Sequence, residues 1–193
     1  MTIEFLEERR KALEEVFFQK ESRKLLERLR AQREAAASRA ALAGATGIDD
    51  TAILDPLLAQ GVRAESATAL ALVPLLAVAW ASGRIETMER ESLLCTAAEL
   101  GLSEDSPAGE LLRHWLDERP PPLLLEAWED YVRLLCTRLS AADRDRLASQ
   151  LLDRARRIAE SAGGVLGIGA VSASEAAVLK DLALPFEPPI GHR

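Results

Sequence analysis

The chain has 193 residues, of which 48% are hydrophobic, 28% charged and 4% aromatic, with a formal net charge of −7. That length holds one domain of ordinary size plus an extension, with enough apolar material for a packed core. Ala and Leu dominate while β-branched and aromatic residues are sparse, which weighs against a sheet protein and predicts an all-α fold.

Residues 2–41 contain no Gly or Pro and predict one long helix. Its apolar residues Leu6, Leu13, Phe17, Phe18, Leu25 and Leu29 form a drifting stripe among charged residues, which suggests an amphipathic or coiled-coil-like arm. Lys20, Glu21 and Ser22 interrupt the register, so a helix docked on something is favoured over a long regular coiled coil. Residues 1–40 carry ten Lys/Arg and eight Glu, net +2, whereas the rest carries fourteen against twenty-three acidic residues, net −9. The bases Arg23, Lys24, Arg28, Arg30 and Arg33 alternate with Glu21, Glu27 and Glu34 at helical spacing. They read as a salt-bridged helix face and not as a nucleic-acid stripe.

The chain is expected to loosen over Leu42 to Gly47. Asp49 and Asp50 then offer N-caps for a short helix to Gln60, and Gly61 ends it. Glu65 to Ala81 predicts the most hydrophobic helix, bent or restarted at Pro74 and buried on nearly every side. Its apolar run of about fifteen residues falls short of the roughly 20 needed to span a bilayer. Gly83 permits a sharp turn, and a helix follows over about Thr87 to Leu100, with Glu86, Glu89 and Glu91 near its positive end. Ser106-Pro107 opens another helix to Asp117, and Pro120-Pro121-Pro122 is a rigid connector. Leu123 to Leu139 and Ala141 to Ala162 predict two more helices, separated at a Ser140 cap. The second is amphipathic through Leu147, Leu151, Ala155 and Ile158, with Arg154, Arg156 and Arg157 largely off the apolar side. A glycine-rich loop, Gly163 to Gly169, reads as a helix end and packing loop, since it lacks Gly-Lys-Ser/Thr and follows a helix. Ser172 and Glu175 form a capping box that starts the last helix.

Leu72 to Leu102 thus reads as a helical hairpin with an acidic elbow, and here the chain resembles the TerB-like tellurite-resistance family. That family's hairpin has an apolar helix, Ala-Asp-Gly, a short acidic turn and a Glu opening the next helix; Ala81-Ser82-Gly83 stands in for Ala-Asp-Gly. The approach to Val171-Ser172-x-x-Glu175 also resembles the close of TerB-like proteins, so the resemblance covers about Ile48 to Phe186. It implies a compact bundle of about seven helices after the long helix, divided as arm 1–45, bundle 46–186 and tail 187–193. It also implies that Glu86 and Glu89 are the candidate ligands of a divalent cation, with Ser82 removing the aspartate of the motif.

Chemistry elsewhere is sparse. Cys95 and Cys136 are expected to be small buried hydrophobes, with no disulfide. His114 shares a helix face with Glu110 but lacks a second Glu-x-x-His set, and Trp80, Trp115, Trp128 and Tyr131 read as core. The expectation is a non-enzymatic binding or assembly module in a bacterial stress-response context, engaging a protein partner or another copy of itself through Leu13, Phe17, Phe18, Leu25 and Leu29. The alternative is a divalent-ion-binding stress protein that uses the acidic elbow; otherwise no cofactor is expected. No secretory or transit signal is visible, and a cytoplasmic location without nucleic acid or a membrane span is expected.

Overall fold

The structure is a computed structural model that describes the backbone of residues 2–161 and 171–187, and the side chains of residue 20, residues 23–161 and residues 171–187. Every regular element among them is helical: α1 (Thr2–Thr46), α2 (Thr51–Ala59), a 3-10 segment (Ala64–Leu72), α3 (Val73–Ala79), α4 (Thr87–Glu99), α5 (Pro107–Asp117), α6 (Pro122–Cys136), α7 (Ala141–Ser161), α8 (Ala173–Asp181) and a final 3-10 turn (Leu184–Phe186). The all-α expectation is met. The chain divides into two compact units, residues 1–40 and 41–193.

The first unit is helix throughout, as the absence of Gly and Pro predicts. The helix does not loosen at Leu42, however. It continues into the second unit because Leu42 is fully buried there, Thr46 Oγ1 donates to the Leu42 carbonyl at 2.9 Å, and the Gly47 N–H reaches the Ala43 carbonyl at 2.8 Å. Gly47, at φ +72°, makes the actual stop, and Arg138 donates to its carbonyl. Gly44 was a weaker helix breaker than the buried Leu42 was an anchor.

Within the second unit α3 is the hub, touching the 3-10 segment, α4, α6, α7 and α8. Val73, Leu75, Leu76, Val78 and Ala79 are all buried, which matches the expectation of apolar surroundings. The helix expected over Glu65 to Ala81, bent or restarted at Pro74, does restart there but is corrected in one respect. Its first half winds as a 3-10 helix, nine residues long, and the α-helix starts only at Val73 with Pro74 in its first turn. Proline has no N–H to continue an earlier α-helix, but at a helix start none is required. The remaining signals act as read. Asp50 accepts from the Ala52 N–H at 2.9 Å, Ser106 from Gly109 at 3.1 Å, and Ser140 from Asp143 at 3.1 Å. Trp80 at the end of α3 sends its indole N–H to the Trp115 carbonyl at 2.9 Å, tying the hairpin turn to α5.

No single helix among the described residues is long and apolar enough to cross a membrane. The loop Gly163 to Gly169 and the tail beyond Glu187 lie outside the described residues.

Candidate functional site

The acidic elbow forms where α3 ends and α4 begins. Gly83 takes φ +92°, a left-handed conformation that a side chain disfavours. Ser82 donates its hydroxyl to the Arg84 carbonyl at 2.9 Å, so it is engaged within the turn. Glu86 precedes α4 and is exposed, with Arg84 at 3.7 Å. Glu89 turns the other way. It is 1% exposed, and its Oε2 accepts the Glu86 backbone N–H at 2.7 Å, the reciprocal half of a capping box.

The partner of Glu89 comes from the other end of the chain. Glu175, 4% exposed, holds the equivalent place at the start of α8. Its Oε2 accepts the Ser172 backbone N–H at 2.6 Å while Ser172 Oγ accepts from Glu175 at 3.2 Å. The two carboxyl groups interact both as charges and through a side-chain hydrogen bond. Glu89 Oε1 is buried and has no hydrogen-bond donor of its own, as expected where the neighbouring group is another acceptor unless one of the two carries a proton. Burial pushes Glu89 from 4.5 up to about 7; the Glu86 N–H opposes this, and the charges of Glu175 and Glu86 add to it. Two carboxyls in one apolar place resist being ionised together, so the pair is suited to holding a proton.

Glu86 and Glu89 therefore differ in surroundings, the first exposed and the second buried, although the charge of Glu86 still acts on Glu89. Among the described residues no three His, Cys, Asp or Glu side chains gather where an ion would sit. Sequence reasoning took Glu175 only as a cap. A signal for the pairing exists: Gly83-x-Ile85-x-x-x-Glu89-x-x-x-Leu93 recurs as Gly169-x-Val171-x-x-x-Glu175-x-x-x-Leu179. Equal spacing of glycine, apolar anchor, buried carboxyl and apolar helix position marks Glu175 as the counterpart of Glu89.

Of the arm residues singled out, Leu25 and Leu29 are 57% and 44% exposed, and Leu26 beside them is 54% exposed. The side chains of Leu13, Phe17 and Phe18 lie outside the described residues. Cys95 is exposed and Cys136 half-buried, which corrects the expectation of two buried thiols. On α4 the inward positions are Leu93, Thr96 and Ala97, and Cys95 falls between them. Burial raises the Cys136 thiol, and the Arg144 charge partly offsets it. His114 is exposed. Trp115 and Trp128 are core as expected, while Trp80 and Tyr131 are half-buried. Arg154, expected largely off the apolar side of α7, instead lines a cavity with Leu147 and Leu151.

Comparison with family models, with curated proteins and with solved structures finds no match to this chain.

Proposed function

We propose that the chain is a non-enzymatic assembly module, in which a self-contained helical bundle carries an N-terminal helix that binds a protein partner, a second copy of the chain first among them. The observation that carries this reading is the exposed trio Leu25, Leu26 and Leu29 within one turn of α1. Covering each such side chain is worth roughly 1.5 to 3 kcal/mol. The bundle supports the same reading, because its core from Leu42 to Phe186 is built from residues of the second unit alone. A bacterial stress-response setting enters only through the resemblance of the elbow to TerB-like proteins.

Light scattering over a range of concentrations tests this. The full chain should associate, and Leu25→Glu with Leu29→Glu should abolish association while the melting of the bundle stays the same. A chain that is monomeric at every concentration and is destabilised by the double substitution would assign these leucines to the fold.

The second reading is divalent-cation binding at the elbow. It rests on Glu89 Oε1, a buried acceptor without a hydrogen-bond partner, facing a second carboxyl from Glu175. Two carboxylates are few for a hard cation that takes six or more oxygens.

A further inference from the structure

The bundle contains a cavity of about 350 Å³, within the size range of small-molecule sites. Leu75, Trp128 and Val132, all buried, form its inner wall. Phe186 meets Trp128 edge-on there, with ring centroids 6.5 Å apart and an interplanar angle of 65°. The space exists because the 3-10 segment presents Ala67 and Ala71 to it where larger side chains would fill it. Thr68 and Ala71 are solvent-exposed, so the cavity opens on that side.

Besides Thr46, whose hydroxyl is bonded to the Leu42 carbonyl, and the exposed Thr68, two polar side chains interrupt the apolar lining, Tyr131 on α6 and Arg154 on α7. Both are half-buried, and neither has a hydrogen bond or ion pair with another described residue. A guanidinium kept partly out of water beside Leu147 and Leu151, with no carboxylate partner among the described residues, is unfavourable for the fold alone. A ligand anion would supply what it lacks. Burial raises the Tyr131 phenol above its ordinary 10.0, so at neutral pH its hydroxyl is a donor.

We propose that this cavity is a binding site for an amphipathic anion, a medium-chain carboxylate whose aliphatic body lies against Leu75, Trp128 and Val132 and whose head group is held by Arg154 and Tyr131. At roughly 30 Å³ for each water-sized group, the cavity takes a chain on the order of ten carbons. Charge assistance from a guanidinium selects the anion, and the apolar wall selects the chain. All of these residues belong to 41–193, so the site is independent of the assembly surface on α1.

Titration calorimetry on the full chain with decanoate tests the proposal, with decyltrimethylammonium supplying a similar tail under the opposite head charge. Decanoate should bind one molecule per chain, and the cation at least tenfold more weakly. Arg154→Gln should weaken decanoate by about tenfold or more with an unchanged melting temperature. Ala71→Phe, at an exposed position on the cavity edge, should abolish binding by filling the space. No binding heat below the concentration at which decanoate self-associates would overturn the proposal. Equal affinity for the cation, or binding undiminished in both variants, would overturn it as well.

Discussion

The carboxyl group of Glu89, at the start of α4, faces that of Glu175, at the start of α8, and each caps the backbone N–H three residues before it. A cap is ordinarily a surface device that favours the ionised carboxylate. Here the two caps have been turned inward against each other, and the pair can keep its backbone hydrogen bonds without full charge only by retaining a proton.

The stability of the bundle should therefore fall as pH rises from about 4.5 to about 7 and level off above that. Below 4.5 both folded and unfolded chains hold the Glu89 proton; between 4.5 and about 7 only the folded chain holds it, and above that neither does. The stabilisation is thus complete at low pH and lost as pH rises through the folded value, for a total on the order of 2 to 3 kcal/mol. Glu89→Gln keeps an acceptor for the Glu86 N–H and cannot ionise. Denaturant melts at pH 5 and pH 8 should show the variant close to the parent at pH 5 and more stable at pH 8. A difference independent of pH would refute the shared-proton account.

Replacing the partner should be felt at a distance in sequence. Glu175→Gln removes a neighbouring charge but leaves the burial of Glu89, so the Glu89 titration should move down and still lie above the ordinary carboxyl range. Carboxyl-carbon NMR through a pH series measures this. An unmoved titration would mean that the two groups do not interact.

Calcium at about 1 mM should leave the melting temperature unchanged, since Ser82 is engaged with the Arg84 carbonyl and no three His, Cys, Asp or Glu side chains gather among the described residues. Ser82→Asp restores the missing carboxylate of the Ala-Asp-Gly pattern and should strengthen whatever binding calorimetry detects. A calcium-dependent rise in melting temperature that disappears in Glu89→Ala would favour the ion-binding reading over assembly.

Gly109→Ala should be costly although it raises helix propensity. A Cβ built there would lie 2.3 Å from the Ser103 carbonyl oxygen and 2.8 Å from that of Glu104. The loop must shift to admit it, at about 1 to 3 kcal/mol. Trp80→Phe, by contrast, keeps most of the packing and loses the indole bond to Trp115, about 1 kcal/mol. Thermal melts of the two variants should rank in that order.

Most element starts were legible because their signals are local: Asp50, Ser106, Ser140 and Ser172 cap as their spacing says, and Gly61, Gly83 and Gly101 all take positive φ. The failures share a different cause. Leu42 extends α1 past Gly44 because of what it packs into, and the 3-10 winding before Pro74 is set by tertiary fit and not by composition. Cys95 is exposed because the register of α4, fixed by Leu93 and Ala97, leaves it outside. At the site, Glu89 was legible as an elbow residue, but its partner Glu175 belongs to another helix start, and no local rule links them. Arg154 was hidden in the same way, since one arginine among five on α7 stands out only once Tyr131 on α6 is placed beside the same cavity.

The ring of Trp80 bonded to Trp115 has a practical corollary. All three tryptophans, Trp80, Trp115 and Trp128, lie beyond residue 40, and none is fully exposed. Indole emission from this chain therefore arises wholly from side chains of residues 41–193, whereas backbone dichroism also counts the helix of residues 2–40. Following both signals through one denaturation separates the melting of the two units without cutting the chain or attaching a dye: an ellipticity change without a spectral shift belongs to the N-terminal helix, and a coincident change belongs to the bundle.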